Sequence, residues 1–226
     1  DQAAGGGYFA PPLKLAKTRP SMSNTPRLAI NSAVLTVILG GGLILALSIG
    51  TRQSFGLFLQ PLSDDLGWGR EVFALAIAFQ NLIWGLAQPV AGMIADRYGA
   101  GRVIVAGSLM YAAGVALMSQ TTTPLDIQFS AGLLIGLGMS ATSFAVVLSA
   151  VGRVVSPERR SLAFGVVSAL GSLGQLAMVP AGQAFLEAYG WPTAFLIFAV
   201  ITLFMVPVAA AMRGLETSHR TQRQDM

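Results

Sequence analysis

The chain has 226 residues, of which 54% are hydrophobic and only 11% charged, with a net charge of +4. Soluble domains usually carry about 25% charged residues, so this composition excludes an ordinary soluble fold. The chain has no cysteine and one histidine, His219 in its polar end, which argues against disulfides, a metal site, a bound cofactor or a catalytic triad. We therefore predict that the protein is not an enzyme.

Residues 1–27 are rich in glycine, proline and basic side chains. Such a segment buries too little apolar surface to offset the entropy of folding, so we predict a disordered cytoplasmic tail. The sequence opens on Asp1, and Met22 is an alternative start within the same segment.

Six uncharged stretches, each 23 to 26 residues long, follow this tail. A helix of that length crosses a hydrocarbon layer of about 30 Å, and the residues do not alternate as barrel strands would. We predict an all-α membrane domain of six transmembrane helices over residues 28–212, with 213–226 forming a cytoplasmic tail or the start of a central loop. Predicted helices 1 to 6 are Leu28–Thr51, Val72–Ala95, Val103–Leu125, Ile127–Gly152, Ser161–Leu186 and Ala188–Met212.

Basic residues indicate how these helices are oriented. Twelve of the 14 Lys and Arg residues lie before helix 1 or after helices 2, 4 and 6, which are all on one side. By the positive-inside rule that side is the cytoplasm, so both termini are predicted to be cytoplasmic. Because the basic residues are distributed between membrane spans and not gathered on one soluble face, nucleic acid is not a predicted partner.

An internal repeat connects the two halves of the membrane domain. A shift of 91 residues carries helices 1 to 3 onto helices 4 to 6, so the second unit enters from the opposite face, as in inverted-repeat transporters. The alternative is that helix ends are generically glycine-rich and acidic. Prolines in helices 2 and 5 are expected to kink both. The matched positions are Pro89, Asp96, Tyr98 and Gly99 with Pro180, Glu187, Tyr189 and Gly190.

The cytoplasmic loop between helices 2 and 3 carries the most specific motif, in which glycine permits a tight turn and Arg can clamp acids. It reads Gly92-Met-Ile-Ala-Asp96-Arg97-Tyr-Gly99-Ala-Gly-Arg102 and resembles the signature loop of the major facilitator superfamily, although Ala100 and Gly101 separate Gly99 from the basic residue. The resemblance implies a gating motif made of Gly92, Asp96, Arg97, Gly99 and Arg102, together with Glu158, Arg159 and Arg160 of the similar loop after helix 4.

Further segments resemble one bacterial branch of that superfamily, the monocarboxylate and oxalate–formate carriers. They are Arg52–Phe58 and Leu66–Trp68, whereas Tyr189–Phe195 resembles the entry to helix 6 in the superfamily as a whole. The resemblance implies the N-terminal half of a twelve-helix carrier in a bacterial inner membrane. Such a protein would move a small organic anion, a mono- or dicarboxylate, by alternating access, with the lipid bilayer and a C-terminal half or second copy as partners. A membrane interaction or sensor module that retains the half-fold without transport is the alternative.

Arg52 is the main candidate for binding the anion. A charge inside a membrane span is costly and suggests function, whereas an arginine just past a helix end would only reach for the headgroups. Helix 1 ending near Thr51 would favour the second interpretation, and its continuation to Leu59 the first. Neutral amides are the other substrate-binding candidates, although amides in membranes often bond neighbouring helices. They are Gln53, Gln80, Asn81 and Gln175.

Overall fold

A computed structural model describes the backbone of residues 32–224 and the side chains of residues 32–214. The predicted tail 1–27 lies outside this range. All regular structure within the described residues is helical, which agrees with the predicted all-α class. The elements are α1 Ser32–Ser54, a 3₁₀ turn Phe55–Phe58, α2 Leu59–Leu66, α3 Arg70–Tyr98, α4 Ala100–Met118, α5 Pro124–Ile127, a π-helical segment Gln128–Leu134, α6 Ile135–Ala141, α7 Phe144–Val154, a 3₁₀ turn Pro157–Arg159, α8 Arg160–Leu203 and α9 Met205–Gln224.

Five helical stretches in the described part of the chain are long and apolar enough to cross a membrane. The last contains 58 residues, about 87 Å if straight, which far exceeds one crossing. Its backbone leaves the helical region at Gly190, with φ 75° and ψ 169°. The stretches are Ser32–Leu66, Arg70–Tyr98, Ala100–Met118, Pro124–Val154 and Pro157–Gly214. Six crossings and the inverted repeat therefore stay predictions, as does the domain boundary at 212, which α9 passes on its way to Gln224.

The first helix extends further than its uncharged stretch. The helix continues through the 3₁₀ turn and α2 to Leu66. Pro61 is the third residue of α2, in the first turn, where a missing N–H costs little. The chain turns at Gly67, whose φ of 65° is left-handed.

Predicted helix 4 is not continuous. It begins with a capping box in which the Thr123 N–H donates to Asp126 Oδ2 at 2.7 Å and the Asp126 N–H donates to Thr123 Oγ1 at 3.3 Å. A break at Thr142 and Ser143 then separates α6 from α7. The Thr142 hydroxyl and N–H both donate to the Gly138 carbonyl, at 3.1 and 3.0 Å. Such local hydroxyl bonding competes with helix propagation and interrupts predicted helix 4 within the membrane-capable stretch Pro124–Val154.

Glycines bring the helices into close contact. A Cβ placed on Gly174 of α8 would lie 2.3 Å from the Ala46 backbone of α1, and one on Gly50 would lie 2.7 Å from the Gly174 carbonyl oxygen. Membrane helices associate largely through such close van der Waals packing, because lipid offers no hydrophobic driving force between them. Gly136 approaches α3 in the same way, and Gly138 approaches α4. The α1–α8 contact involves the part of α1 that also carries Arg52.

Replacing Gly174 by Ala should destabilise the protein, since the added methyl group meets backbone atoms that cannot rotate away. We expect a loss of about 1–3 kcal/mol in the free energy of unfolding, the usual cost of overpacking. Gly165→Ala on the same helix is the matched control, because a Cβ there meets no atom of the described residues within 4 Å. Unfolding of both variants in detergent with increasing SDS measures the difference, and equal stabilities would refute the packing account.

Candidate functional site

A cleft of about 400 Å³ lies where the end of α1 and the following 3₁₀ turn face α3. Of its nine lining residues only Arg52 is charged. Two further polar side chains line it, Gln53 and Gln80, and the remainder of the wall is apolar or glycine. The lining residues are Arg52, Gln53, Phe55, Gly56, Leu59, Phe73, Ala74, Ile77 and Gln80. Three of the five predicted substrate-binding residues thus share one cleft.

Arg52 lies within a continuous helical stretch, since the helix goes on past Thr51 to Leu66. The condition under which Arg52 would only reach for headgroups, a helix end near Thr51, is therefore absent. Its Nη2 donates to Asn81 Oδ1 at 2.5 Å, and its guanidinium carbon lies 5.7 Å from the centroid of the Trp84 ring. Two contacts from α3 thus hold one half-buried cation.

Two donors in this group have no acceptor. Arg52 Nε and Trp84 Nε1 are buried and make no hydrogen bond within the described part of the chain. Each atom carries one N–H and can only donate. Buried donors are usually paired, so these two call for an acceptor that the described residues do not supply; of the two side chains, only Arg52 lines the cleft. A carboxylate oxygen is such an acceptor.

The four predicted amide candidates differ in whether their side chains already have hydrogen-bond partners. Gln80 is fully buried, and its Nε2 donates to the Ala131 carbonyl in the π-helical segment at 2.7 Å, which ties α3 to predicted helix 4. Gln53 is exposed at the cleft wall, and Asn81 is occupied by Arg52. Gln175 is half-buried on α8 and is not among the residues that line the cleft.

The gating motif contacts Arg153, a residue that the sequence does not single out. Asp96 accepts a hydrogen bond from Arg153 Nη2 at 2.9 Å, and the same nitrogen reaches the Ala95 carbonyl at 3.3 Å. Arg153 is in the last turn of α7. The sequence places Arg153 among the basic residues on the predicted cytoplasmic side, but this does not indicate which acidic residue it contacts. This contact joins predicted helices 2 and 4 at the ends that the sequence predicts to be cytoplasmic.

The other gating residues do not converge on Asp96. Gly99 has φ 95° and donates its N–H to the Ala95 carbonyl at 2.9 Å, so glycine suits this turn. Arg97 lies against the Tyr98 ring at 5.4 Å, and Arg160 Nε donates to the Val155 carbonyl at 3.4 Å. Gly92 was expected to permit a close helix approach, but a Cβ there meets nothing within 4 Å among the described residues. The remaining three are exposed: Arg102, Glu158 and Arg159.

A buried hydroxyl network lies one helical turn before Arg52. Ser48 Oγ and Thr142 Oγ1 are 3.0 Å apart, and the fully buried Tyr111 hydroxyl donates to the Ser48 carbonyl at 2.8 Å. These bonds join α1, α4 and the break after α6. No group of three or more His, Cys, Asp or Glu side chains that could hold a metal occurs within the described residues.

Comparison with known proteins gives consistent matches. Residues 41–225 match the family model described as Major Facilitator Superfamily. The chain is 32% identical over 179 residues to mouse monocarboxylate transporter 11, covering 76% of this chain and 38% of that protein. It is 28% identical over 189 residues to chicken monocarboxylate transporter 3, covering 83% of this chain and 34% of that protein. The chain thus spans between a third and two-fifths of these curated relatives, and the predicted resemblance is confirmed.

Replacing Gln80 by Leu should destabilise the protein by removing the bond from α3 to the π-helical segment. The expected loss is about 0.6 kcal/mol and at most about 1.7 kcal/mol, as for other hydrogen bonds between membrane helices. Gln175→Leu is the control, since the structure shows no hydrogen bond for this described side chain. SDS unfolding compares the two, and a larger loss for Gln175→Leu would contradict the assignment.

The Asp96–Arg153 ion pair should contribute little to the free energy of unfolding, although its charged atoms are 2.9 Å apart. Its side chains are 77% and 38% exposed, so solvent screens the attraction. A double-mutant cycle with Asp96→Asn and Arg153→Gln should give a coupling below about 1 kcal/mol that falls with added salt. Arg102→Gln, at another exposed arginine, serves as the control for loss of a basic side chain. A coupling above about 2 kcal/mol would show that the pair is desolvated.

Proposed function

Because this chain belongs to the Major Facilitator Superfamily, we propose that it forms the N-terminal half of a secondary transporter for small carboxylates. Members of this superfamily are integral membrane transporters and not enzymes, as the sequence predicts for this chain. The relatives aligned above are named monocarboxylate transporters, which favours a monocarboxylate as substrate. A dicarboxylate would need a second cation, and Arg52 is the only charged residue among those lining the cleft.

The observation that carries the proposal is the pair of unpaired donors at Arg52 and Trp84. A guanidinium in an apolar environment is costly unless a counter-charge or hydrogen-bond acceptors offset its desolvation. Asn81 and the Trp84 ring supply only part of that compensation. A carboxylate would accept from Arg52 Nε and bring the missing negative charge. Phe55, Phe73 and Ile77 of the cleft wall then suit a short aliphatic tail.

Alternating access follows from an inverted repeat in the proposed topology. The repeat aligns Gly99, after predicted helix 2, with Gly190, after predicted helix 5. Both glycines have a positive φ, 95° and 75°, which supports the repeat. With the break at Gly190, the long last stretch provides two crossings and the total becomes six. Both termini are then cytoplasmic, in a bacterial inner membrane. The Asp96–Arg153 contact forms a cytoplasmic link within this half, and a C-terminal half or a second copy completes the carrier.

Uptake of radiolabelled propionate by proteoliposomes tests this function. We expect Arg52→Ala to lower uptake at least tenfold, because about 1.4 kcal/mol or more of binding would be lost. Arg70→Ala is a matched control, an exposed arginine outside the cleft that donates to Gln60 Oε1 at 2.6 Å. It should retain uptake within about twofold, as expected for a surface substitution.

The outcomes separate the two candidate functions. Uptake by this chain alone would eliminate the non-transporting interaction or sensor module. Unchanged uptake after Arg52→Ala would contradict the assignment of the anion site to Arg52. Loss of uptake in both arginine variants would show a general effect of charge and no specific site.

A further inference from the structure

The break between α6 and α7 leaves a helix N-terminus inside the bundle. Helix α7 has 11 residues and begins at Phe144, after Ser143 in an extended conformation with φ −71° and ψ 162°. The first N–H groups of a helix have no acceptor within the helix and carry a partial positive charge. Ser143 makes no side-chain cap to them. These donors are therefore available to an acceptor from outside the helix.

Ser143 itself is a second, independent sign of a ligand. Its side chain is 5% exposed, and its Oγ is buried without a hydrogen-bond partner among the described residues. Ser143 occupies the N-cap position, directly before the N–H groups of the first turn. A buried hydroxyl is normally bonded, so this one leaves a donor unused at the start of the helix. The adjacent Thr142 hydroxyl is already bonded to the Gly138 carbonyl.

The break lies close to the Arg52 cleft. The Ser48–Thr142 contact of 3.0 Å holds it against α1 four residues before Arg52, about 6 Å along the helix. In the proposed topology α1 runs outward, so the break is on the cytoplasmic side of Arg52. Phe144 is 39% exposed and Ala145 is also exposed, which leaves the first turn open while Ser143 is covered.

We propose that the N-terminus of α7 is a second anion subsite, which the carboxylate occupies between Arg52 and the cytoplasm. Its oxygens would accept from the N–H groups of Phe144 and Ala145 and from the Ser143 hydroxyl. Helix N-termini at breaks in membrane helices hold anionic groups in this way. The partial charge attracts the anion more weakly than a full cation does, which favours release. The identity of the anion rests on the proposed function, but binding itself does not require transport.

Cysteine chemistry can test this subsite, because the chain contains no native cysteine. Ala145→Cys places a unique thiol in the first turn of α7, where the helix start should lower its pKa and speed its reaction. Ala169→Cys is the matched control, an exposed alanine in the interior of α8. The purified chain in nanodiscs is labelled with an anionic and with a cationic methanethiosulfonate. Propionate and its neutral analogue propionamide are added as competing probes.

The expected result is a preference for the anionic reagent at Ala145→Cys that exceeds the preference at Ala169→Cys by about tenfold, the order of a partly buried helix-terminus interaction. Propionate should slow that labelling and propionamide should not. Ser143→Asp, or Ser143→Asn if the charged variant does not fold, should abolish protection by capping the N–H groups. Protection must persist within about threefold in an Arg52→Ala background.

Each contrary result overturns the subsite. Equal reagent preference at the two cysteines would show that no positive potential exists at the helix start. Equal protection by propionamide would exclude anion recognition. Loss of protection in the Arg52→Ala background would mean that propionate acts only through Arg52. Because labelling is measured on the purified chain, a chain that fails to transport propionate can still confirm or refute this subsite.

Discussion

Close approach of the α1 and α8 backbones at Gly174 fixes the part of the bundle on which the site depends. Gly50 lies against the Gly174 carbonyl, and the Ser54 hydroxyl donates to the Met178 carbonyl at 2.9 Å. Arg52 lies between these two attachment points. A cation on a helix that is held on both sides loses little further entropy when it binds a ligand, which is the physical basis of preorganisation.

Polar atoms in the described bundle fall into two groups by their partners. Gln80 Nε2 and the Tyr111 hydroxyl donate to backbone carbonyls of other helices, and the Thr142 and Ser48 hydroxyls are bonded across helices. Among the described residues, the unpaired group consists of the donors Arg52 Nε and Trp84 Nε1, the acceptor Gln80 Oε1 and the hydroxyls of three residues, Thr51, Ser108 and Ser143. An unsatisfied buried donor costs about 1–3 kcal/mol. A ligand that accepts hydrogen bonds from several such donors removes part of this cost and therefore binds more tightly. That ligand must bring acceptors, as an anion does.

Much of the fold follows from the sequence, because charge is so costly in lipid that uncharged stretches reveal the spans. Arg52 was found for the same reason, and Gly99 because a tight turn favours a residue without a side chain. The break at Thr142 and the partner of Asp96 could not be found in this way. The break depends on competition between local hydrogen bonds and helix propagation. The partner depends on which helices pack together, which Arg153 alone does not indicate.

The central claim is that Arg52 and Trp84 together bind a carboxylate, and Trp84 fluorescence tests it most directly. In a chain with Trp68→Phe and Trp191→Phe, the emission of Trp84 reports on the cation beside its ring. The account predicts a saturable change on titration with propionate, none with propionamide, and loss of the change in Arg52→Gln. An identical propionate response in Arg52→Gln would contradict it.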